Sequence, residues 1–453
     1  MIRLGLAVLC LVASGLCRAQ GQPPASLPPA PAAEPPPSAA GQRVYEGARH
    51  RLLQVRTLLR GQDSQASVGS GFLVSDEGHL VTNYHVVSDV ALQPQRHRLV
   101  YSTADGRHGA LQLLAVDVVN DLALLRAADS RPLAGRGSFD FRPAEGPPGR
   151  GERIYALGNP LDVGFAVVEG AYNGLAERSF TPTIFFGGSL SAGMSGGPAL
   201  DDQGRVMGVN VATRRDGEQV SFLVPGAAAQ ALLERGRAAE PVTEPMYAEI
   251  TRQLGAHQER LVERFLAQPW RTTSHGGFRI PVPQEEYMRC WGSTTPPGSK
   301  GLEFERSDCA MDSRIFVSHV LVTGHLSVRH EAYDGRRIGV LRFAQRNSAS
   351  FQNEPFGSKT TQLTAPVCHE GEVAREAGAA DGAPPLRTVM CLRAYRKLPG
   401  LYDVSVLVAT LDHPTLGAQG RFDARGVSHD NALRLAAHYL NGYAWQAPKN
   451  GSR

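Results

Sequence analysis

Between about Arg43 and Leu233 the chain is cut into short β-type runs, and this pattern narrows the fold more than any other feature of its 453 residues. The runs are Gly71-Phe72-Leu73-Val74, His79-Leu80-Val81-Thr82, Leu122-Ala123-Leu124-Leu125, Arg153-Ile154-Tyr155-Ala156-Leu157, Val206-Met207-Gly208-Val209 and Ser221-Phe222-Leu223-Val224. Gly, Asp and Asn punctuate the stretches between them. Strands this short and this closely spaced suit a barrel or a sandwich. The length exceeds one core at roughly 100 to 200 residues per domain, so two or three domains are expected.

Residues 1–19 read as a signal peptide: Arg3 gives a positive start, Leu4 to Leu16 an apolar core, and Cys17-Arg18-Ala19 a small-x-small cleavage site. The apolar run is shorter than the roughly 20 residues that cross a bilayer, so export to the periplasm or beyond is expected, with no stable membrane span. Lipid attachment at Cys17 fits less well, because Leu16 and Ser14 stand where a small residue and a leucine are wanted. Residues 20–42, dense in Pro and Ala, read as a disordered, extended linker. Lys plus Arg total 47 against 43 Asp plus Glu, and the net +4 is spread without a basic run, so no nucleic-acid partner is expected.

Residues 43–238 hold the short strands. Residues 239–271 read as a helical connector, with Ile250, Leu254, Leu261 and Phe265 recurring near the helical period. Residues 272–453 offer strands at Ile315 to Val322, Arg337 to Phe343 and Tyr402 to Ala409, the last with Tyr402, Val404, Val406 and Val408 on one face. Ser428 stands as N-cap of a closing helix whose apolar face carries Leu433, Ala436, Ala437 and Leu440. This region reads as an α+β domain with an antiparallel sheet. Its four cysteines, Cys290, Cys309, Cys368 and Cys391, favour disulfides in an exported chain. Three pairings are open, and local bridges, Cys290 with Cys309 and Cys368 with Cys391, best fit a β-rich segment. Neither these spacings nor those of His319, His325 and His330 match a metal site, and no cofactor is called for.

The chemistry concentrates in Gly193-Met194-Ser195-Gly196-Gly197-Pro198. A nucleophilic serine needs flanking backbone that turns sharply and points N–H groups inward, which glycines permit. The amides of Gly193 and Ser195 would form an oxyanion hole, where losing one donor typically lowers turnover about 100- to 1000-fold. Serine is a poor nucleophile at neutral pH and needs a base in reach. His85, at the end of the apolar run Leu80-Val81-Thr82-Asn83-Tyr84-His85, is the candidate. The base needs a carboxylate to hold its tautomer. Asp121, heading Leu122-Ala123-Leu124-Leu125, is preferred over Asp117 and Asp129, because an acid that opens a buried run needs a partner.

These three segments resemble the signatures of the trypsin-like peptidases, most nearly the bacterial HtrA (Deg) branch, and the order His, Asp, Ser is that of the chymotrypsin fold. The likeness covers roughly Arg43 to Ala238. It implies a mainly β, two-barrel chymotrypsin-like protease domain with His85, Asp121 and Ser195 as a catalytic triad in the cleft, acting on a protein or peptide substrate. It implies further that Ser189 to Ala192 form the loop before the nucleophile and that Val209, Asn210 and Val211 pair with the substrate backbone. Val220 to Val224 would wall the pocket for the residue before the scissile bond, and the apolar Val220, Phe222 and Leu223 point to small or aliphatic residues there.

Three departures limit the likeness, one being that the mobile loops HtrA proteins use for control find no counterpart that aligns in this sequence. Met194 stands where HtrA proteins usually carry Asn, and the C-terminal half lacks the Gly-Leu-Gly-Phe-type loop of a PDZ domain. Two further roles are therefore carried forward. In one, the C-terminal region recruits a substrate or envelope partner, and its deletion spares cleavage of small peptides. In the other, the whole chain is a binding or scaffolding protein whose barrels serve only as a docking platform.

Overall fold

The computed structural model describes residues 37–143, 145–213, 221–296, 298–352, 356, 359–373, 385–411 and 413–445. The leader, residues 20–36 of the linker, and Val220 lie outside them. Strands β1 (Leu52–Leu59), β2 (Gln65–Leu73), β3 (His79–Asn83), β4 (His97–Thr103), β5 (His108–Asp117) and β6 (Leu122–Ala127) close into one antiparallel barrel, in spatial order 1-2-3-6-5-4. A second barrel holds β7 (Arg153–Gly158), β8 (Ala166–Leu175), β9 (Ile184–Gly187), β10 (Pro198–Leu200), β11 (Val206–Thr213) and β12 (Ser221–Pro225), in order 10-11-12-9-8-7.

Alternation along these strands explains why they read as nearly continuous apolar runs. Leu53, Val55, Leu80, Ala123 and Leu125 fill the first barrel, and Ile154, Ala156, Phe186 and Leu223 fill the second. Their neighbours Leu52, Phe72, Val81 and Leu124 meet Tyr155, Leu157, Leu200 and Val209 between the barrels. With both faces buried, the barrels are fixed against each other, which is what a site built from both requires.

Helix α1 (Ala39–Ala48) starts inside the stretch read as a disordered linker, and residues 37–42 are a correction to that reading. Ser38 caps the helix by accepting from the Gly41 amide (3.1 Å), and its own amide donates to Glu169 (2.6 Å). Tyr45 adds a bond to the Phe165 carbonyl. Polar anchoring of this kind leaves no periodic signal in a Pro/Ala-rich sequence. The remaining helices are α2 (Tyr84–Leu92), α3 (Gly226–Gly236), α4 (Tyr247–Ala267), α5 (Val340–Ser350) and α6 (His429–Leu440).

The C-terminal region adds β13 (Arg271–His275), β14 (Phe278–Val282), β15 (Met288–Thr294), β16 (Glu303–Met311), β17 (Ile315–Ser318), β18 (Leu321–Thr323), β19 (His325–Asp334), β20 (Val367–Val373), β21 (Leu386–Ala394), β22 (Tyr402–Thr410), β23 (Leu416–Val427) and β24 (Ala444–Trp445). Seven of these form an antiparallel sheet in order 15-16-19-23-22-21-20, while β17 and β18 stand apart as a hairpin. The disulfides Cys290–Cys309 and Cys368–Cys391 bridge residues directly opposite each other on β15/β16 and β20/β21. The strand expected at Arg337 to Phe343 is instead the approach to α5 and its first turn. Helix formers follow (Arg342, Ala344, Gln345, Arg346), and Phe343 alone in this helix is buried. Ser428 does cap α6, accepting from the Asn431 amide (3.2 Å). The buried face of α6 is Ala432, Leu435, Ala436 and Tyr439, with Leu433 left 47% exposed. Tyr439 can be buried because its hydroxyl pairs with that of Tyr443 (2.9 Å).

The C-terminal region shares a buried core with the first barrel. Ile315, Val317 and Leu321 of the hairpin, with Leu363, Tyr395, Leu398 and Leu401, belong to the same buried cluster as the interior of the first barrel. Helix α4 links the two cores, placing Ile250 and Leu254 in that cluster and Leu261, Val262 and Phe265 under the seven-stranded sheet.

Candidate active site

Strand β3 ends at Asn83, so His85 lies in the first turn of α2 and not at the end of a strand. The opening amides of a helix have no partner within it, and their dipole favours negative charge. Asp121 supplies both needs. Its carbonyl accepts from the Tyr84 amide (3.0 Å) and from Asn83 Nδ2 (2.8 Å), and its carboxylate accepts from the His85 amide (2.9 Å) and from His85 Nδ1 (2.6 Å). To face the helix in this way Asp121 adopts φ +53°, a left-handed conformation that Asp tolerates better than most residues. The rival acids are used elsewhere: Asp117 binds Asn120 and Arg235, and Asp129 pairs with Arg131.

The Asp121 bond fixes the proton of His85 on Nδ1 and leaves Nε2 as a base. Burial opposes a charged imidazole here, but the Asp121 carboxylate and its hydrogen bond outweigh it, so His85 titrates above its ordinary value. The side chain keeps 31% of its surface exposed, enough to meet a ligand. The Phe316 ring of β17 stands edge-on to the imidazole, with centroids 6.2 Å apart.

The serine loop is bolted to the first barrel through Ser70, which is 1% exposed. Ser70 Oγ donates to the Gly193 carbonyl (2.7 Å) and accepts from the Asn159 amide (2.9 Å), while the Ser70 amide donates to the Ser195 carbonyl (2.7 Å). The Leu161 amide holds the Ala192 carbonyl (2.8 Å). Gly193 (φ +91°) and Gly196 (φ +85°) need to be glycine for more than their conformation. A Cβ on Gly193 would strike the Asn159 carbonyl, and one on Gly196 would strike Ser70 and Thr82. That close packing of Gly196 on the end of β3 brings Ser195 beside α2. None of the described residues accepts from the Gly193 or Ser195 amide, so both remain available to an oxyanion. Among the described residues the Ser195 hydroxyl donates to the Val211 carbonyl (3.1 Å) and makes no bond to His85. Catalytic bonds are often loose in an unliganded site. Met194 turns its side chain into the core of the second barrel.

The residues expected to contact substrate divide into two groups. Val211, Phe222 and Leu223 line a cavity that also reaches Asp121. Val209 is fully buried between the barrels. Asn210 is also buried and serves the serine loop: its carbonyl accepts from the Gly196 amide (2.9 Å), its own amide donates to the Gly197 carbonyl (2.9 Å), and its side chain donates to the Leu157 carbonyl (2.9 Å). Neither is free to pair with substrate. Ser70 and Phe316 were not legible as site residues. A serine between Gly69 and Gly71 in a strand signals close backbone approach, whereas nothing local to Phe316 points to His85.

Residues 69–209 match the family model of a trypsin-like peptidase domain. The probable periplasmic serine endoprotease DegP-like of Marinomonas sp. (strain MWYL1) is 30% identical over 183 residues, which is 38% of this chain and 36% of that one. The putative serine protease HhoB of Synechocystis sp. is 29% identical over 180 residues, 38% and 40% of the two chains. The crystal structure of the serine endoprotease from Yersinia pestis aligns with 45% of this chain and 67% of its own, at 25% identity and a TM-score of 0.38. The chain thus spans well under half the length of these curated relatives. It carries a trypsin-like peptidase domain similar to those of the HtrA/DegP proteins. Among the described residues no helix is long and apolar enough to cross a membrane.

Proposed function

We propose that the chain is an exported serine endopeptidase that hydrolyses peptide bonds through an acyl-enzyme on Ser195. The observation that carries this reading is the Asp121 clamp on the first turn of α2, which holds His85 as a base beside a glycine-framed serine. In the reaction, Ser195 Oγ leaves the Val211 carbonyl, turns to His85 and attacks the scissile carbonyl carbon while Nε2 takes its proton. Asp121 stabilises the imidazolium, and the Gly193 and Ser195 amides receive the oxyanion. The imidazolium then gives its proton to the departing amine, and water, deprotonated in turn by His85, releases the acyl group and restores Ser195. Phe222 and Val211 favour a small or aliphatic residue before the scissile bond. The leader read over residues 1–19 and two disulfides, which persist in oxidising compartments, support export.

A fluorophosphonate probe tests the chemistry, with cleavage of a proteome-derived peptide library alongside. The wild-type protein should be labelled and should cleave, and Ser195→Ala should do neither. An unlabelled wild type would overturn the proposal, and a Ser195→Ala variant that kept every cellular activity would favour the docking-platform reading instead.

A further inference from the structure

A cavity of about 1050 Å³ opens between the second barrel, the turn before β6, α4 and the segment that precedes β17. Asp121 lines it, and so does Val211, whose carbonyl holds the Ser195 hydroxyl, so it adjoins the site described above. It also contains Phe222, from the wall expected for the residue before the scissile bond. A polypeptide seated at Ser195 would therefore run into this cavity on the N-terminal side of that bond. Its volume lies at the upper end of small-molecule pockets and has room for several side chains.

Two features of the lining point to the chemistry of the occupant. His257 of α4 is 3% exposed, and among the described residues neither ring nitrogen has a hydrogen-bond partner. Burial, helped by the charge of Arg260, lowers its pKa to about 4, so at neutral pH it presents one N–H donor and one acceptor. A buried polar group left unpaired is unfavourable, and an entering ligand that bonds it removes that penalty. The second feature is charge. Arg150 and Arg289 are paired with Glu177 (3.7 Å) and Asp312 (2.7 Å). Arg178, from the β8–β9 connection, and Arg314, from the C-terminal region, have no ion-pair partner among the described residues.

We infer that this cavity is a substrate subsite, built jointly by the second barrel and the C-terminal region, that selects an acidic segment N-terminal to the scissile bond. Arg178 and Arg314 attract its carboxylates, and His257 bonds a polar group that reaches the cavity floor. The inference rests on the peptidase reading and gives the C-terminal region a part in specificity from within the site.

The test uses the full chain and a matched pair of peptides, identical around the cleaved bond, with either three Glu or three Gln on its N-terminal side. The wild type should cleave the Glu peptide with a kcat/KM about tenfold higher, a preference that shrinks as salt is raised. Arg178→Gln and Arg314→Gln should each cut that preference about two- to fivefold, acting more on the Glu peptide than on the Gln peptide. His257→Leu should raise thermal stability, by removing an unpaired polar group, and weaken use of the Glu peptide. Binding of both peptides to Ser195→Ala, followed by fluorescence anisotropy, separates this inference from the catalytic one. Tighter binding of the Glu peptide that Arg314→Gln reduces about two- to fivefold upholds the subsite even if the chain hydrolyses nothing. Equal binding and equal kcat/KM for the two peptides, or Arg178→Gln and Arg314→Gln variants that affect both alike, would overturn it.

Discussion

The Tyr84 hydroxyl donates a buried 2.9 Å hydrogen bond to the carbonyl of Val317, 233 residues further along the chain. Tyr84 precedes His85 in the first turn of α2, and Val317 belongs to the β17–β18 hairpin, so the C-terminal region reaches the residue next to the candidate base. Tyr84→Phe would leave that carbonyl buried without a donor, which should destabilise the protein by about 1–3 kcal/mol in urea unfolding. Truncation after residue 271 should be far worse. It strips Ile315, Val317 and Leu321 from the buried cluster that includes α2 and the first barrel, at about 1.5–3 kcal/mol for each side chain, from a fold whose whole margin is about 5–15 kcal/mol. The truncated chain should be insoluble or inactive even on a small peptide, which expression and peptide cleavage would check. This reverses the expectation that deletion spares small-peptide cleavage.

Phe316 should act on catalysis through His85. Its edge-on ring limits where the imidazole can swing, and aromatic pairs of this kind contribute about 0.5–1.5 kcal/mol beyond their buried area. Phe316→Ala should lower kcat about two- to tenfold with little change in KM, and Phe316→Tyr, which keeps the ring, should restore it. Steady-state kinetics on one small peptide distinguishes this from a loss of substrate binding, which would raise KM.

The pH profile follows from the Asp121–His85 pair. His85 accepts a proton from serine only when neutral, and its pKa is raised above 6.5. The acid limb of kcat/KM should therefore lie above pH 6.5, with activity falling as pH falls. Stability runs the other way. A group whose pKa is raised on folding adds stability that is fully present below its unfolded value and is lost as pH rises through the folded one. Asp121→Asn keeps a residue suited to φ +53° and should fold, yet it presents the wrong tautomer to Ser195. A rate loss of about 10⁴-fold is expected, with any residual activity showing its acid limb at lower pH.

What could be read from the sequence was what short-range pattern encodes. Strands β2, β3, β6, β7, β11 and β12, half of those in the two barrels, were visible as apolar runs, and the three motifs stood in segments that the fold brings together. Where side chains met partners far away, the pattern was silent. His85 was expected on a strand because it follows the apolar run that opens at Leu80-Val81, and the helix start at Tyr84 is specified by Asp121, a residue outside that run. The tether reading failed at residues 37–42 because Glu169 supplies the anchor. Asn210 looked like a substrate contact by resemblance, although its side chain closes the serine loop onto β7. Phe316 and Val317 could not be assigned to the site, because a hairpin that packs against a distant helix such as α2 reads locally like any other strand pair.

Ser70 provides the sharpest test of how the serine loop is held. Two successive carbonyls of that loop are pinned from outside, Ala192 by the Leu161 amide and Gly193 by Ser70 Oγ, and in the proposed mechanism the conformation between them would set the direction of the Gly193 and Ser195 amides. Ser70→Ala keeps the backbone bond from residue 70 to the Ser195 carbonyl and removes only the two hydroxyl bonds. The loop should stay in place, while the peptide between Gly193 and Met194 gains freedom to rotate. Complete loss of one oxyanion donor lowers turnover about 100- to 1000-fold, so partial misalignment should lower kcat about 10- to 100-fold. KM should change less, because the walls formed by Val211 and Phe222 are untouched. The unpaired Gly193 carbonyl and Asn159 amide should also lower stability by about 1–3 kcal/mol. Equal loss in kcat and in thermal stability-corrected protein yield would show that Ser70 serves the fold alone. A fall in kcat for fully folded protein, with slower fluorophosphonate labelling of Ser195, would show that it positions the oxyanion hole.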